Sequence, residues 1–349
     1  GQAPVEVATF RQDAPYSDGR HPDHVTFSTA EQDAQRRDFT INGLFYDPLK
    51  EELVDYVGGK EDLARGIIRA IRDPLERFEE DKLRLLRAVR FAATFDFEMD
   101  PATFKAVRSK ASEITVVSAE RIAAEMRRML AHRNRTVAVQ MLRATGLLSV
   151  LLPESELLWH SEDAGDHRVC DYWTSTLAIL SQLDEPSFRV GLAGLLWGIH
   201  ELVEAPTKLV DSVSQRWRLS NDESRGASWL LHQEKVIRRA STVEWPKLQA
   251  LLTDDRVEEL LLLARAVATT IQGNSDEIEL CRQKLALPPA ILNPEPLITG
   301  DDLRREGMTP GPAFRHILET VRHAQLNGEI ENKQQAIDLA RRTAAKPLN

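Results

Sequence analysis

From residue 137 to the C-terminus the apolar residues recur at helical spacing. The runs are broken by proline or glycine near Pro153, Pro186, Pro206, Pro246, Pro288 and Pro310–Pro312. Proline lacks the backbone donor and clashes with the preceding turn, so each break ends a helix. This pattern restricts more than half of the chain to a succession of helices. At 349 residues the chain also exceeds one domain of roughly 100–200 residues, so the expected fold is mainly α and multidomain. All six tryptophans lie between Trp159 and Trp245, a compositional shift that marks a separate helical body. Residues 288–296 carry four prolines and read as a linker, after which Gly311-Pro312 opens a further helix over residues 313–326.

The totals exclude several classes. The richest apolar run, residues 190–199, is ten long and contains three glycines, whereas a membrane span needs roughly 18 apolar residues. Cys170 and Cys281 are far apart and neither belongs to a CxxC pair. They argue against a disulfide framework and a structural zinc site, and favour a reducing cytoplasm. The net charge of −9 does not suggest a nucleic-acid binder. Binding depends on where positive charge clusters, however, and arginines and lysines are dense from Arg65 to Arg143 with acids interspersed, which predicts a basic stripe.

The first 72 residues have mixed character. Residues 5–10 (VEVATF) alternate and predict a strand. Glu6 on that strand is a candidate metal carboxylate, set against an ordinary exposed glutamate, which composition alone favours. Residues 13–27 hold two prolines, a glycine and three aspartates and predict a loop. His21, Asp23 and His24 superficially resemble metal ligands, but without a fixed third ligand they make a poor site. Ser28 to Glu31 has the capping-box pattern and predicts a helix start. Residues 36–42 (RRDFTIN) follow. Arg37, Asp38 and Asn42 could meet phosphates and a sugar, although an RRD run is also a common solvated face. Residues 54–71 begin as a strand, turn at Gly58-Gly59, continue as a helical piece to Arg65 and end in a short strand with Ile67, Ile68 and Ile71.

Residues 80–91 (EDKLRLLRAVRF) are the chemical centre of the sequence. Leu83, Leu86 and Val89 give a helix an apolar side, and Asp81, Arg84, Arg87 and Arg90 recur every three residues as a neighbouring ridge. Salt bridges alone rarely call for one carboxylate followed by three arginines. A site that reads a nucleobase and holds its triphosphate does. A carboxylate only accepts and a guanidinium only donates, so Asp81 with Arg84 matches the Watson–Crick edge of cytosine or adenine and mismatches uracil and guanine. The alternative is a helix held by Glu80–Arg84 and Asp81–Arg84 surface pairs, each worth only about 0.3–0.5 kcal/mol. Beyond it, residues 118–130 predict a helix with Ile122, Met126 and Met129 as a core stripe and Arg121, Arg127 and Arg128 solvated or salt-bridged.

The sequence resembles the class II tRNA nucleotidyltransferase and poly(A) polymerase family. The resemblance is carried by EVATFR (residues 6–11), RRDFTIN (36–42), DYVGGKEDLARGIIRAI (55–71), ERFEEDKLRLLRAVRFAA (76–93) and SAERI (118–122), with a looser match over 296–314. It implies a small mixed α/β nucleotidyltransferase head over residues 1–72, incomplete as it stands. A nucleotide- and RNA-binding neck over 73–135, a helical body over 136–287 and a helical tail over 288–349 follow. It further implies template-independent addition of C and A to an RNA 3′ end from CTP or ATP with Mg²⁺, most simply at the CCA end of tRNA. Arg37, Asp81, Arg84, Arg87 and Arg90 would contact the nucleotide, and Asp38 and Asn42 would hold the sugar and phosphates or shape the pocket. Residues 13–27 would match the family's flexible loop. The alternatives are a poly(A) polymerase, an enzyme that adds only C or only A, and a non-catalytic tRNA-binding fragment.

Three departures from the family pattern set further expectations. The family's glycine pair and metal-binding Asp-x-Asp would precede Glu6, and no such segment stands in this sequence. Glu6 matches the third metal carboxylate, and two-metal phosphoryl transfer needs the others. Either a preceding piece supplies them or the chain alone is inactive. Gly43 stands where alanine or serine is usual, which the fold should tolerate. Trp197-Gly198 replaces the His-Asp pair of relatives with a phosphohydrolase site in the body, so no metal and no such activity are expected there.

Overall fold

Among the described residues, six short strands, none beyond Met99, form three separate two-stranded sheets. The computed structural model describes residues 7–13, 25–160 and 171–345. Glu6, His21, Asp23 and His24 therefore lie outside the described residues. β1 (Arg11–Asp13) pairs antiparallel with β2 (Val25–Phe27). The expected strand over residues 5–10 is not seen in its described part, since Val7–Phe10 has no regular structure and pairing begins at Arg11. α1 (Ala30–Arg36) starts one residue later than the sequence suggests. Thr29, not Ser28, is the N-cap and closes the capping box with Gln32. Two neighbouring hydroxyl residues can each cap, and tertiary context selected the second.

β3 (Leu44–Asp47) and β4 (Glu52–Asp55) form a hairpin with Leu44 opposite Asp55. Asp55 then starts α2 (Gly59–Arg65). Its two carboxylate oxygens accept the backbone N–H groups of Val57, Gly58, Gly59 and Lys60, the orphan donors of the helix start. Burial pushes the Asp55 carboxyl up, but these four donors outweigh it and hold it below the usual carboxylate range. Gly59 permits a close approach: a Cβ there would lie 2.1 Å from the Thr40 carbonyl oxygen. β5 (Ile67–Ile68) pairs parallel with β6 (Glu98–Met99).

The helices that follow are α3 (Pro74–Glu80), α4 (Leu83–Phe95), α5 (Pro101–Lys110), α6 (Ala119–Leu130), α7 (Arg135–Ala144), α8 (Leu147–Leu151), α9 (Leu157–His160), α10 (Tyr172–Gln182), α11 (Phe188–Leu202), α12 (Pro206–Trp217) and α13 (Asn221–Ile237). α14 (Trp245–Leu252), α15 (Val257–Gln272), α16 (Asp276–Leu285), α17 (Pro289–Leu292), α18 (Gly300–Arg305), α19 (Pro312–Leu326) and α20 (Lys333–Ala344) complete the chain. The fold is thus mainly α and multidomain. It divides into two compact units, residues 1–229 and 230–349. The core of the first is built on α4, whose Leu85, Leu86, Ala88, Val89 and Ala92 are fully buried, and on Ile122, Met126 and Met129 of α6. The second unit includes a core cluster of Ile298, Leu303, Ile317, Val321, Ala324, Ile330, Ala336 and Ala340.

In α11, Gly198 packs so tightly that an added Cβ would lie 2.6 Å from Thr176 Oγ1 and 2.9 Å from Leu158 Cδ2. A larger side chain there would require the helices to part. Among the described residues no group of three or more His, Cys, Asp or Glu could hold a metal ion, and no helix is long and apolar enough to cross a membrane.

Candidate nucleotide-binding site

The sequence predicts one continuous helix through residues 80–91, and the structure breaks it. α3 ends at Glu80, Asp81 is extended with φ −148° and ψ 106°, and α4 begins at Leu83. The cause is local. Asp81 Oδ1 accepts the Leu83 N–H at 3.0 Å, so this side chain serves the start of the next helix. Asp81 is therefore at the mouth of α4, and the ridge on the helix consists of Arg84, Arg87 and Arg90. The expected Asp81–Arg84 pair is replaced by Asp81 Oδ2 with Arg121 Nη2 of α6, at 2.7 Å.

Each arginine of the ridge is anchored. Arg84 is buried; its Nη1 donates to Glu80 Oε2 at 2.6 Å and to the Arg77 carbonyl at 2.8 Å, and its Nη2 donates to the Arg36 carbonyl at 3.4 Å. Arg87 Nε donates to Asp38 Oδ2 at 2.6 Å. Arg90 Nε donates to Glu125 Oε2 at 2.5 Å, and its guanidinium lies 3.9 Å from the Phe91 ring centroid. Burial pulls the Arg90 pKa down, and Glu125 only partly offsets this.

Residues 36–42 meet α4 from the head. Phe39 is the anchor: it is fully buried, bridges Ala70 and packs edge-on to Phe91 at 5.7 Å. Thr40 Oγ1 donates to Asp62 Oδ2 at 2.7 Å. Asp38 Oδ1 accepts from Asn42 Nδ2 at 2.7 Å and from the Phe39 N–H at 3.0 Å, while Oδ2 takes Arg87. Burial pushes the Asp38 carboxyl up, but the Arg87 guanidinium and the Asn42 amide outweigh it and hold the carboxyl below its ordinary range. Arg37 Nη1 donates to the Asn42 carbonyl at 2.9 Å, its Nη2 pairs with Asp33 Oδ2 at 2.9 Å, and its guanidinium lies 4.9 Å from the Phe45 centroid. Asp38, Asn42 and Arg87 thus form one hydrogen-bonded chain, Arg37 joins it through Asn42, and Arg84 reaches the same segment through the Arg36 carbonyl.

Two positioning residues were not foreseen. Arg77, on α3, is buried; Nη1 donates to Glu80 Oε2 at 2.5 Å and Nη2 donates to the Arg37 carbonyl. Burial lowers its pKa, Arg84 lowers it further, and Glu80 partly opposes them. Arg77 therefore ties residues 36–42 to the Glu80–Arg84 pair. Arg121 was expected to be solvated or salt-bridged; it is salt-bridged, and its partner is the carboxylate expected to read the base. Both arginines lie in blocks that carry the family resemblance, ERFEED and SAERI, and that is the only sequence signal that singles them out. The other expected pairings on α6 are present, Arg127 with Glu223 at 2.6 Å and Arg128 with Glu125 at 2.8 Å.

Three family models match the chain in order: the poly A polymerase head domain over residues 1–69, an RNA- and SrmB-binding site of polymerase A over 96–158, and a tRNA nucleotidyltransferase domain 2 over 200–340. The CCA-adding enzyme of Limosilactobacillus reuteri (strain DSM 20016) is 32% identical over 345 residues, covering 94% of this chain and 75% of that protein. The CCA-adding enzyme of Lactobacillus helveticus (strain DPC 4571) is 30% identical over 341 residues, covering 97% and 78%. The crystal structure of the Bacillus stearothermophilus CCA-adding enzyme in complex with CTP superposes with a TM-score of 0.72 at 26% identity, over 96% of this chain and 78% of that one. The Thermotoga maritima CCA-adding enzyme complexed with tRNA shares the fold, with a TM-score of 0.54 at 19% identity over 90% of this chain and 74% of that one.

Proposed function

This chain belongs to the CCA-adding enzymes, a family of nucleotidyltransferases, and from that premise we propose that it builds or repairs the CCA end of tRNA from CTP and ATP. In this reading the 3′-hydroxyl of the tRNA attacks the α-phosphate of the nucleotide and pyrophosphate leaves. The head and neck, residues 1–135, carry the nucleotide, and the body (136–287) and tail (288–349) hold the RNA. The reaction takes place in the cytoplasm.

One observation carries the reading: an acceptor and a donor, Asp81 and Arg84, stand at the mouth of α4 with Arg87 and Arg90 behind them. Asp81 accepts the exocyclic amino group of cytosine or adenine; its oxygens keep acceptor capacity beyond Leu83 and Arg121, since a carboxylate has about four lone-pair sites. Arg84 commits three N–H groups to Glu80, Arg77 and Arg36, and its two remaining donors meet the ring nitrogen or carbonyl. Arg37, Arg87 and Arg90 supply positive charge for the triphosphate. Asp38, ionised and bonded to Asn42 and Arg87, shapes the sugar side of the pocket. Mg²⁺, when bound, would supply charge stabilisation for phosphoryl transfer. The described residues build no site for it, and Glu6 lies outside them, so the steps derived for this chain are base reading and phosphate positioning.

Sequencing the 3′ ends of a tRNA that stops before CCA tests the proposal. With Mg²⁺ present, the expected products are CC from CTP alone and CCA from CTP with ATP. Long A tails on any RNA would replace this reading with a poly(A) polymerase. Steeply salt-dependent tRNA binding without pyrophosphate release would replace it with a non-catalytic binder.

A further inference from the structure

Arg143, near the end of α7, stands apart from the arginines around it. Those of α4 and α6 each pair with a carboxylate: Arg84 with Glu80, Arg87 with Asp38, Arg90 with Glu125, Arg121 with Asp81 and Arg127 with Glu223. Arg143 has no carboxylate and no hydrogen-bond acceptor among the described residues. Aromatic rings hold it instead. Its guanidinium carbon lies 4.7 Å from the ring centroid of Trp159 on α9 and 4.6 Å from that of Trp173 on α10. The two indoles meet edge-to-face at 5.8 Å and 87°, so the cation occupies the corner between them.

This is an unusual way to spend an arginine. Ring faces attract the cation without taking up a hydrogen-bond acceptor's place, so part of its set of five in-plane donors is left for another molecule. A guanidinium lies flat on only one of two perpendicular rings, so the N–H groups not aimed at the second remain able to donate. The nitrogens are not sealed from solvent, as none is among the buried side-chain atoms that lack a hydrogen bond. Glu162, Asp163 and Asp166, which lie between the two tryptophans in sequence, fall outside the described residues, and Asp171 is occupied with the first turn of α10, where its Oδ1 accepts the Thr174 N–H at 3.0 Å. The result is a half-buried cation held between two indoles, with no carboxylate partner among the described residues. Guanidinium forks match phosphate oxygens two at a time. Arg143 also lies inside the segment that matches an RNA-binding family model.

We infer that Arg143, held by Trp159 and Trp173, receives a phosphate of the tRNA backbone at a point separate from the nucleotide pocket. The inference rests on the tRNA reading above and adds a site to it. The tryptophans fix the direction of the fork, so its ordering entropy is lost on folding and not again on binding.

The test measures tRNA affinity over a salt series for the wild type, Arg143→Gln and Arg143→Lys, with melting curves to show that each is folded. Arg143→Gln is expected to weaken tRNA binding severalfold and to lower the slope of log affinity against log salt by about one, the signature of one lost phosphate contact. Its affinity for CTP should be unchanged, which separates an RNA phosphate from the triphosphate of a nucleotide. Arg143→Lys keeps the charge and loses the fork, so the slope should stay while affinity falls; a merely structural arginine would not produce that split. If the wild type binds tRNA and Arg143→Gln binds it with the same affinity and slope, the inference is overturned and the enzyme's function stands. If the wild type itself neither binds nor extends tRNA, the functional reading fails, and the inference falls with it.

Discussion

Replacing Arg77 by methionine isolates the contact that joins the two halves of the proposed nucleotide site. The substitution roughly keeps volume and removes the guanidinium that spans Glu80 and the Arg37 carbonyl. Two hydrogen bonds to a charged group are lost, each worth about 1.5–3 kcal/mol. Against this, the variant no longer buries a cation whose Nε has no partner, which returns about 1–3 kcal/mol. With both figures taken at mid-range the net cost is roughly 2–3 kcal/mol, which in a unit of this size lowers Tm by roughly 4–12 °C. The functional consequence is separate: with Arg77 gone, residues 36–42 are no longer tied to the Glu80–Arg84 pair, so CTP and ATP should both bind severalfold more weakly. Thermal melting and nucleotide titration on the same preparation measure the two effects. A fall in Tm with unchanged nucleotide affinity would refute the positioning role. No fall in Tm would refute the energetic reasoning.

Further predictions concern neighbouring parts of the unit. Asp81→Ala should relax rejection of UTP and GTP by about 5- to 150-fold, the equivalent of one buried group left unpaired at about 1–3 kcal/mol; unchanged nucleotide preference would remove Asp81 from base reading. The Arg127 hydrogen bond lowers the Glu223 carboxyl from 4.5 to about 2, so its contribution to stability is present above pH 4.5 and is lost as pH falls towards 2. Glu223→Gln should flatten the decline of Tm over that window, and an equally steep decline would contradict the linkage. Gly59→Ala should cost about 1–3 kcal/mol of stability, since the Cβ meets the Thr40 carbonyl oxygen; an unaltered melting curve would show that α2 can move aside.

The helical succession, the apolar side of α4 and the stripe on α6 were readable from the sequence, because period and burial coincide there. Leu83, Leu86 and Val89 are all buried. The break at Asp81 was not readable. EDKLRLL has helical period throughout, and nothing local distinguishes a carboxylate that continues a helix from one that accepts the N–H of Leu83 and starts the next. Long-range partners were equally hidden. Arg121 meets Asp81 from 40 residues away and Arg77 meets the Arg37 carbonyl from 40 residues away, separations over which periodicity carries no information. The grouping of Arg37, Asp38, Asn42 and Arg87 was expected from the family resemblance. The hydrogen bonds that assemble it came from the fold.

The most direct measurement is the equilibrium affinity of the protein for each of CTP, ATP, UTP and GTP. It depends on the pocket and not on the rate of chemistry. A mismatched Watson–Crick edge leaves donors and acceptors unpaired against Asp81 and Arg84 at about 1–3 kcal/mol each, so CTP and ATP should bind at least about tenfold more tightly than UTP and GTP. Equal affinity for all four nucleotides would contradict the assignment of base reading to the start of α4.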